Sequence, residues 1–197
     1  FAADVLSRNP KAKIIYDVKC TRNLAPWIKE YKGEPIMSRT GHSFIKAKMK
    51  ETGAALGGEM SGHIFFKERW YGFDDGMYAG ARLLEILSQV ENPSELLNNL
   101  PDAVSTPELN IKMKEGEHHA LIATLQRDAK FTNPDKIIDI DGLRVEYADG
   151  FGLARASNTT PVIVLRFEAD TEEALENIKA DFRRVISAAA PELELGF

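Results

Sequence analysis

The residues best suited to chemistry in the first half of the chain lie in a glycine-rich segment, GGEMSGH at residues 57–63. Strand-like runs flank this segment, so we expect a loop at the strand ends, where glycines let the backbone approach a ligand. Glu59 offers two acceptor oxygens and Ser61 a hydroxyl, which suit the adjacent hydroxyls of a polyol. His63 can carry a proton or contact a phosphate. An ordinary polar turn has a similar composition, and the spacing alone does not separate the two interpretations.

A second donor-rich segment, RASNTTP at residues 155–161, contains a guanidinium, three hydroxyls and an amide between two predicted strands. Such a turn can aim successive backbone N–H groups at an anion. Arg155, Ser157 and Thr159 would add side-chain hydrogen bonds, as a dianionic phosphate requires. The alternative is a hairpin whose polar side chains satisfy only their own backbone.

Two more candidates follow predicted strands of the first half. Lys19 comes directly after the first strand, and His42 precedes a helix after the second. The carboxyl ends of parallel strands face the ligand crevice of an open sheet, so Lys19, His42 and the Glu59 loop are expected to converge. Taken singly, Lys19 could be a solvated surface ammonium and His42 an ordinary residue at a helix start.

Other polar residues point to structural roles. His118 and His119 have no partner at metal-ligand spacing and are predicted to lie on the surface. Asp74 and Asp75 could hold Mg²⁺, but just before a long helix an N-capping role is favoured. Cys20, the single cysteine, cannot form an intrachain disulfide and is predicted to be inert packing.

The elements that must position these residues alternate between helix and strand in the first half. The last predicted helix carries Met77, Ala81, Leu84 and Leu87 on one face. The pattern indicates a mostly parallel sheet covered by helices. Helices are predicted at residues 1–8, 23–31, 43–51 and 75–90, and extended segments at 14–17, 35–37, 54–56 and 63–66.

The second half has a different order. It follows a short helical turn at residues 94–100, which ends the first domain, and a linker at 101–107. One helix and a run of consecutive strands then predict a small α+β domain with an antiparallel sheet. We therefore predict an α/β domain at residues 1–100 and the α+β domain at 101–197. Its strands are predicted at residues 109–113, 137–140, 143–147, 152–156 and 162–169, and its helices at 118–129 and 171–189.

Composition excludes several classes of function. The chain has 197 residues and a formal charge of −5, so no broad basic face for nucleic acid is expected. Trp27, Trp70 and Tyr71 lack a surrounding basic cluster and are predicted to be packing residues. No apolar stretch approaches the roughly 20 residues that span a bilayer, and no signal peptide is evident. These features predict a cytoplasmic protein without a membrane partner, and a first residue within a helix suggests a fragment.

Five ordered segments together resemble the α-D-phosphohexomutases, most closely their bacterial phosphomannomutase/phosphoglucomutase branch. These segments are DVKCTR at residues 17–22, TGHSFIK at 40–46, GEMSGH at 58–63, FKERWYGFDDG at 66–76 and RASNTTP at 155–161. The resemblance covers the whole chain, which is similar to the third domain of that family, nearly complete, and then to its fourth.

In that family a phosphoserine enzyme converts a hexose 1-phosphate into the 6-phosphate through a bound 1,6-bisphosphate that reorients. The resemblance implies sugar-hydroxyl contacts for Glu59 and Ser61, and active-site contacts for Lys19, His42 and His63, with proton transfer by one of the histidines. It implies a phosphate clamp made by Arg155, Ser157, Asn158 and Thr159.

The sequence lacks two family features, a Thr-Ala-Ser-His-like phosphoserine loop and an Asp-Gly-Asp-Gly-Asp-Arg metal loop. The resemblance implies that both belong to N-terminal domains, which would use Mg²⁺ with glucose 1,6-bisphosphate as activator. We therefore expect no metal ligands here and no mutase activity from this chain alone. Met60 favours glucose and mannose phosphates over glucosamine phosphate, whose branch resembles GEQSGH at this point. A non-catalytic sugar-phosphate-binding module is the other alternative.

Overall fold

The computed structural model describes residues 1–197, which divide into two compact units, Phe1–Asp102 and Ala103–Phe197. The first unit contains α1 (Ala2–Arg8), β1 (Lys13–Asp17), α2 (Leu24–Glu30), β2 (Glu34–Ser38), α3 (His42–Thr52), β3 (Leu56–Gly58), β4 (Ile64–Phe66), α4 (Gly76–Leu87) and α5 (Pro93–Asn98). Its sheet has the strand order β2-β1-β3-β4, in which β1 is parallel to β2 and β3, and β4 is antiparallel to β3.

The central strand β1 is apolar on both faces, which explains why helices cover the sheet on two sides. Ile14 packs in a cluster with Val5 of α1 and Ile28 of α2. Ile15 points the other way and packs with Ile45 and other residues of a second cluster. Successive residues of one strand therefore bury opposite faces of the sheet.

The second unit contains β5 (Val104–Ser105), β6 (Leu109–Lys112), α6 (Glu117–Asp128), β7 (Lys136–Ile138), β8 (Leu143–Tyr147), β9 (Gly150–Ala156), β10 (Val162–Ala169) and α7 (Glu172–Ala189). All strand pairs are antiparallel, in the order β5-β10-β9-β8-β7, and β6 also pairs with β10. Residues of α6, α7 and the sheet share one apolar core. Gly152 of β9 is required there, because a Cβ at this position would lie 2.3 Å from the ring of Phe182.

This architecture confirms the predicted fold class, an α/β unit followed by an α+β unit with an antiparallel sheet. The short strand β5 lies inside the segment that was predicted to be a linker, so that part of the prediction was wrong. Its two residues pair with the end of β10, a tertiary partner that local sequence does not reveal. The domain division between residues 100 and 101 stays a prediction.

The apolar face predicted for the helix at residues 75–90, which corresponds to α4, is exposed. Met77 is 89% exposed and Leu84 is 68% exposed, whereas Arg82 is buried. Arg82 forms ion pairs with Asp4 and Glu68 at 2.8 Å. Its guanidinium also lies over the ring of Phe66, at 4.4 Å from the centroid. These contacts turn the polar side of α4 inward, against the usual preference of an amphipathic helix.

Candidate functional site

The carboxyl ends of β1, β2 and β3 bring three loops to one edge of the first sheet. Tyr16 of β1 pairs with Met37 of β2 and with Gly58 of β3, so the three strands end at nearly the same level. The amide of Gly41 donates to Oε2 of Glu59 over 3.2 Å. The segments after β1, β2 and β3 therefore converge, as the sequence predicted.

The loop that carries Glu59 is shorter than predicted. Gly57 and Gly58 belong to β3, and the connection to β4 comprises residues 59–63. Gly57 is packed under α3, where a Cβ would lie 2.8 Å from Cγ2 of Ile45 and from Sδ of Met49. Only Gly62 among these glycines, with φ +94°, has the left-handed conformation that a turn requires.

Glu59 is the buried acceptor of this edge, with 6% of its surface exposed. Its Oε1 is buried and has no hydrogen-bond partner within the protein. Burial raises the pKa of the Glu59 carboxyl and the nearby charge of Asp17 adds to this, while His63, the Gly41 amide and Lys19 act in the opposite direction. An unpartnered buried oxygen is costly, and a ligand hydroxyl would satisfy it.

Lys19 and His42 differ in their surroundings. Lys19 is 6% exposed, so the alternative of a solvated surface lysine is wrong. Its charge lies close enough to lower the pKa of Glu59. His42 begins α3 and is exposed, directly after Gly41. Ser61 is exposed at the tip of the loop.

His63 is exposed and oriented by a carboxylate. Its Nδ1 lies 2.7 Å from Oδ2 of Asp74. A proton on Nδ1, held by this carboxylate, leaves Nε2 to exchange a proton with a ligand. Asp75 accepts a hydrogen bond from the Tyr78 amide over 2.9 Å, which confirms the predicted N-cap.

Asp17 is a residue that sequence reasoning did not select. It is fully buried at the end of β1. Its Oδ1 accepts from the Met60 amide and from Sγ of Cys20, both over 3.1 Å. Its Oδ2 accepts from the hydroxyl of Thr40 over 2.8 Å. An acidic residue at the end of an apolar strand was the available signal.

The donor-rich turn of the second unit connects β9 to β10. Oγ of Ser157 accepts from the amides of Thr159 and Thr160, each over 3.3 Å. The same oxygen lies 3.3 Å from Oγ1 of Thr159 and 3.2 Å from Oγ1 of Thr160. Asn158 and Thr159 are exposed. The turn thus gathers two N–H groups and two hydroxyls around Oγ of Ser157, where an anion could replace this oxygen.

Arg155 precedes this turn and is held by a buried ion pair. Arg155 is 5% exposed, and its Nε donates to Oδ2 of Asp141 over 3.0 Å. Gly142, with φ +78°, lies beside Arg155, and a Cβ there would come within 2.5 Å of the Arg155 Cβ. The side chain of Gln126 donates to the carbonyl of Gly142 over 2.7 Å, which ties this segment to α6. Sequence reasoning missed Asp141, Gly142 and Gln126, because they act through Arg155.

The histidine pair was assigned wrongly in part. His118 is 2% exposed and its Nδ1 is buried without a partner, while His119 is exposed. His118 lies on the face of α6 that also buries Leu121, Ile122 and Leu125. No group of three or more His, Cys, Asp or Glu side chains is placed to hold a metal ion.

No helix of the chain combines the length and the apolar character needed to cross a membrane.

Two family descriptions match the sequence. The phosphoglucomutase/phosphomannomutase alpha/beta/alpha domain III matches residues 1–104, and the C-terminal domain of the same proteins matches residues 108–185. The chain belongs to the phosphoglucomutase/phosphomannomutase family. The resemblance given by the five sequence segments is thereby confirmed.

Curated relatives and a solved structure agree with this family. A phosphoglucomutase of Neisseria meningitidis is 67% identical over 189 residues, which are 95% of this chain and 41% of the relative. A phosphomannomutase/phosphoglucomutase of Pseudomonas aeruginosa is 59% identical over 100% of this chain and 42% of its own length. A family member from Burkholderia thailandensis superposes with a TM-score of 0.95 at 64% identity, again over 100% of this chain and 42% of its own.

The chain therefore spans about 41% of the length of the phosphoglucomutase from Neisseria meningitidis. The family members that match it carry most of their residues outside the part compared here.

Proposed function

We propose that this chain provides sugar and phosphate recognition to a mutase that interconverts hexose 1-phosphates and hexose 6-phosphates of glucose and mannose. Such an isomerase works through a bound 1,6-bisphosphate and belongs to carbohydrate metabolism. The observation that carries the proposal is Oε1 of Glu59, a buried carboxylate oxygen without a partner at the carboxyl edge of a parallel sheet. A carboxylate in this position can accept hydrogen bonds from two adjacent sugar hydroxyls.

The sugar-binding residues are assigned to a domain at residues 1–100. Glu59 and Ser61 contact the sugar hydroxyls, while Lys19, His42 and His63 complete the contacts at this edge. The burial of Lys19 and Glu59 supports the assignment, because buried charges are usually retained where they bind or pair.

We assign proton transfer to His63 in preference to His42. The bond from Nδ1 of His63 to Asp74 orients the ring and selects the tautomer, which a general acid or base requires. His42 stays in the site as a second candidate for this role. Exchange of the proton at Nε2 would accompany departure or attack of a sugar oxygen.

The phosphate-binding residues are assigned to a domain at residues 101–197. Arg155 supplies a fixed guanidinium, and Ser157, Asn158 and Thr159 supply hydroxyl, amide and backbone donors. The cluster of donors around Ser157 Oγ supports this role, since a dianionic phosphate needs several charge-assisted hydrogen bonds.

In the longer protein we propose that Mg²⁺ assists phosphoryl transfer and glucose 1,6-bisphosphate acts as activator, with the metal ligands and a phosphoserine outside this chain. Within these 197 residues the chemistry is recognition, orientation and proton transfer. Glucosamine phosphate is not favoured as substrate, since relatives at 59–67% identity are named for phosphoglucose and phosphomannose.

An amide-resolved NMR titration of the 197-residue chain tests the recognition role. Glucose 6-phosphate, mannose 6-phosphate and inorganic phosphate are compared at millimolar concentration. We expect the sugar phosphates to shift amides in both residues 59–63 and residues 155–160, and inorganic phosphate to shift only the second set. Sugar phosphates that shift neither set would overturn the proposal.

Activity is measured in parallel. The longer protein, purified with the domains that its relatives contain, should interconvert glucose 1-phosphate and glucose 6-phosphate, and the 197-residue chain alone should show none. Turnover by the chain alone would contradict the proposed division of labour.

A further inference from the structure

Asp17 connects the three loops that form the proposed sugar site. It lies at the end of β1, and the register of β1 with β3 places it beside Glu59, one residue beyond the pair Tyr16 and Gly58. One carboxylate oxygen accepts a hydrogen bond from the Met60 amide in the loop at residues 59–63, and the other accepts one from the Thr40 hydroxyl. Asp17 therefore holds the residue after Glu59 and the residue before Gly41.

These two contacts lie on either side of the Glu59 carboxylate. Glu59 receives the amide of Gly41 at Oε2, while its backbone is continuous with Met60. The orientation of the unpartnered Oε1 thus depends on Gly41 and Met60 at the same time. A single buried carboxylate that fixes both neighbours fixes the direction in which Glu59 presents its oxygen.

A buried carboxylate at position 17 is electrostatically unfavourable, and packing alone does not explain why it is there. Two carboxylates, Asp17 and Glu59, are buried side by side, and the charge of Asp17 raises the pKa of Glu59. The other groups that face Glu59 are Lys19, His63 and the Gly41 amide, which offset part of this repulsion. An apolar side chain at position 17 would avoid the repulsion but would leave the Met60 amide and the Thr40 hydroxyl to find other acceptors.

We propose that Asp17 is a positioning residue of the sugar site, which orients Glu59 by anchoring Met60 and Thr40. The proposal rests on the function assigned to Glu59 above. Asp17 itself is fully buried, so its effect on binding passes through Glu59.

Three substitutions separate the hydrogen bonds of Asp17 from its charge. Asp17→Ala removes both. Asp17→Asn keeps the shape, since its amide oxygen can accept from Met60 and its amide nitrogen can donate to Thr40, whose hydroxyl then acts as acceptor. Thr40→Val removes one anchor and keeps the charge. Cys20→Ala is the control, because Cys20 touches Asp17 but belongs to neither anchored loop.

The first readout is the affinity for glucose 6-phosphate relative to inorganic phosphate. We expect Asp17→Ala to weaken sugar-phosphate binding by about tenfold or more, in line with the loss of a buried hydrogen-bonded anchor. Thr40→Val should cause a smaller loss and Cys20→Ala none. Asp17→Asn, which keeps both hydrogen bonds, should bind glucose 6-phosphate near neutral pH about as tightly as the unmodified chain does. Binding of inorganic phosphate should stay unchanged in all four variants.

The second readout is the pH dependence of that binding. Asp17→Asn removes the charge that raises the pKa of Glu59, so the acid limb of sugar-phosphate binding should move to lower pH than in the unmodified chain. A role in folding alone would not produce this shift. Lys19 and His63, the other charged groups facing Glu59, are unchanged in this variant.

The third readout is hydrogen exchange of the Met60 and Gly41 amides without ligand. Both should exchange faster in Asp17→Ala and Thr40→Val than in Cys20→Ala. The proposal is overturned if these amides keep their protection in Asp17→Ala, or if Asp17→Ala weakens the binding of sugar phosphate and of inorganic phosphate equally. A chain that binds no sugar phosphate at all would refute the proposed function, and the amide exchange would still decide the role of Asp17.

Discussion

The loop at residues 59–63 and the turn at residues 157–161 solve opposite problems in recognition. In the first, the backbone is tied by buried acceptors, and one carboxylate oxygen of Glu59 is left without a partner. In the second, the hydroxyl of Ser157 already occupies the centre of the donor cluster and accepts from two amides. Under the proposed function, a sugar hydroxyl would complete the first site, whereas an anion would replace the Ser157 oxygen as acceptor in the second.

The two sites therefore offer opposite groups to a ligand, an acceptor oxygen in the first and hydrogen-bond donors in the second. In the loop at residues 59–63, which we propose binds the sugar, hydrogen bonds within the protein hold the Glu59 carboxylate and the Met60 amide in place. Much of the entropic cost of ordering this loop is therefore met during folding. In the turn at residues 157–161 the amides of Thr159 and Thr160 donate to Oγ of Ser157, so these two donors are already paired before a ligand arrives. Only Arg155 in the second unit is fixed beforehand, through its buried pair with Asp141.

The largest effect is expected from Arg155→Ala. The substitution removes the buried ion pair between Arg155 and Asp141, so the free energy of unfolding should fall by about 1.5–3 kcal/mol. Phosphate affinity should fall about 10- to 100-fold, since a charge-assisted hydrogen bond is lost. Urea denaturation and phosphate titration measure the two effects.

A double variant separates stability from binding at this position. Arg155→Met combined with Asp141→Asn replaces both charges of the buried pair and should recover much of the stability, but none of the phosphate affinity. If affinity returned together with stability, Arg155 would be a structural residue and the contrast between the two sites would fail.

A smaller effect is expected from Gly142→Ala, which tests how closely Arg155 is packed. The new Cβ would lie 2.4 Å from the carbonyl oxygen of Ala154 at a φ of +78°. Left-handed strain and overpacking together should lower the free energy of unfolding by about 3 kcal/mol. Phosphate affinity should also fall, because Arg155 must shift.

Gly116→Ala is the matched control for Gly142→Ala. Gly116 has a φ of +84°, but a Cβ there meets no atom within 4 Å. Only the conformational cost remains, about 1 kcal/mol, and phosphate binding should not change. Equal losses in the two variants would show that packing around Arg155 is not tight.

The smallest effect on stability is expected from Glu59→Gln. This substitution should raise the free energy of unfolding, whereas Arg155→Ala and Gly142→Ala should lower it. The pKa of Glu59 is raised above its ordinary value of 4.5, so the folded chain holds this proton to higher pH than the unfolded chain. Ionisation of Glu59 therefore costs stability as the pH rises from about 4.5 towards neutrality. Glu59→Gln should stabilise the chain by about 1 kcal/mol at pH 7 and by little at pH 4, while sugar-phosphate binding is lost.

Urea denaturation at pH 4 and pH 7 checks this sign. Glu85→Gln serves as the control, because Arg69 lowers the pKa of the exposed Glu85, and its substitution should not stabilise the chain at either pH. A loss of stability in Glu59→Gln at pH 7 would mean that Oε1 of Glu59 has a partner within the free chain, and the proposed place for a sugar hydroxyl would be wrong.

Local patterns were sufficient for most of the fold. The alternation of helices and strands, the run of antiparallel strands and the N-cap at Asp75 follow from periodicity and from turn and capping chemistry, which act over a few residues. The exposed face of α4 could not be foreseen this way. Arg82 is buried because Asp4, 78 positions away, supplies its counter-ion.

The candidate site shows the same division. Glu59, Ser61, Lys19 and Arg155 could be selected because their residue types and their places at strand ends were visible in the chain. Asp17 and Asp141 were not selected, because each acts through a partner distant in sequence. Met60 lies 43 positions from Asp17, and Arg155 lies 14 positions from Asp141.

The sequence by itself determined the family, the order of the elements and the residue types at the two loops, because these depend on local composition and spacing. Tertiary structure alone decided which carboxylate is left with an unpartnered oxygen and which is paired. Burial removes water from Asp17, Glu59 and Asp141 together, and only the arrangement of donors around each one determines whether it anchors the backbone, binds an arginine or remains available to a ligand.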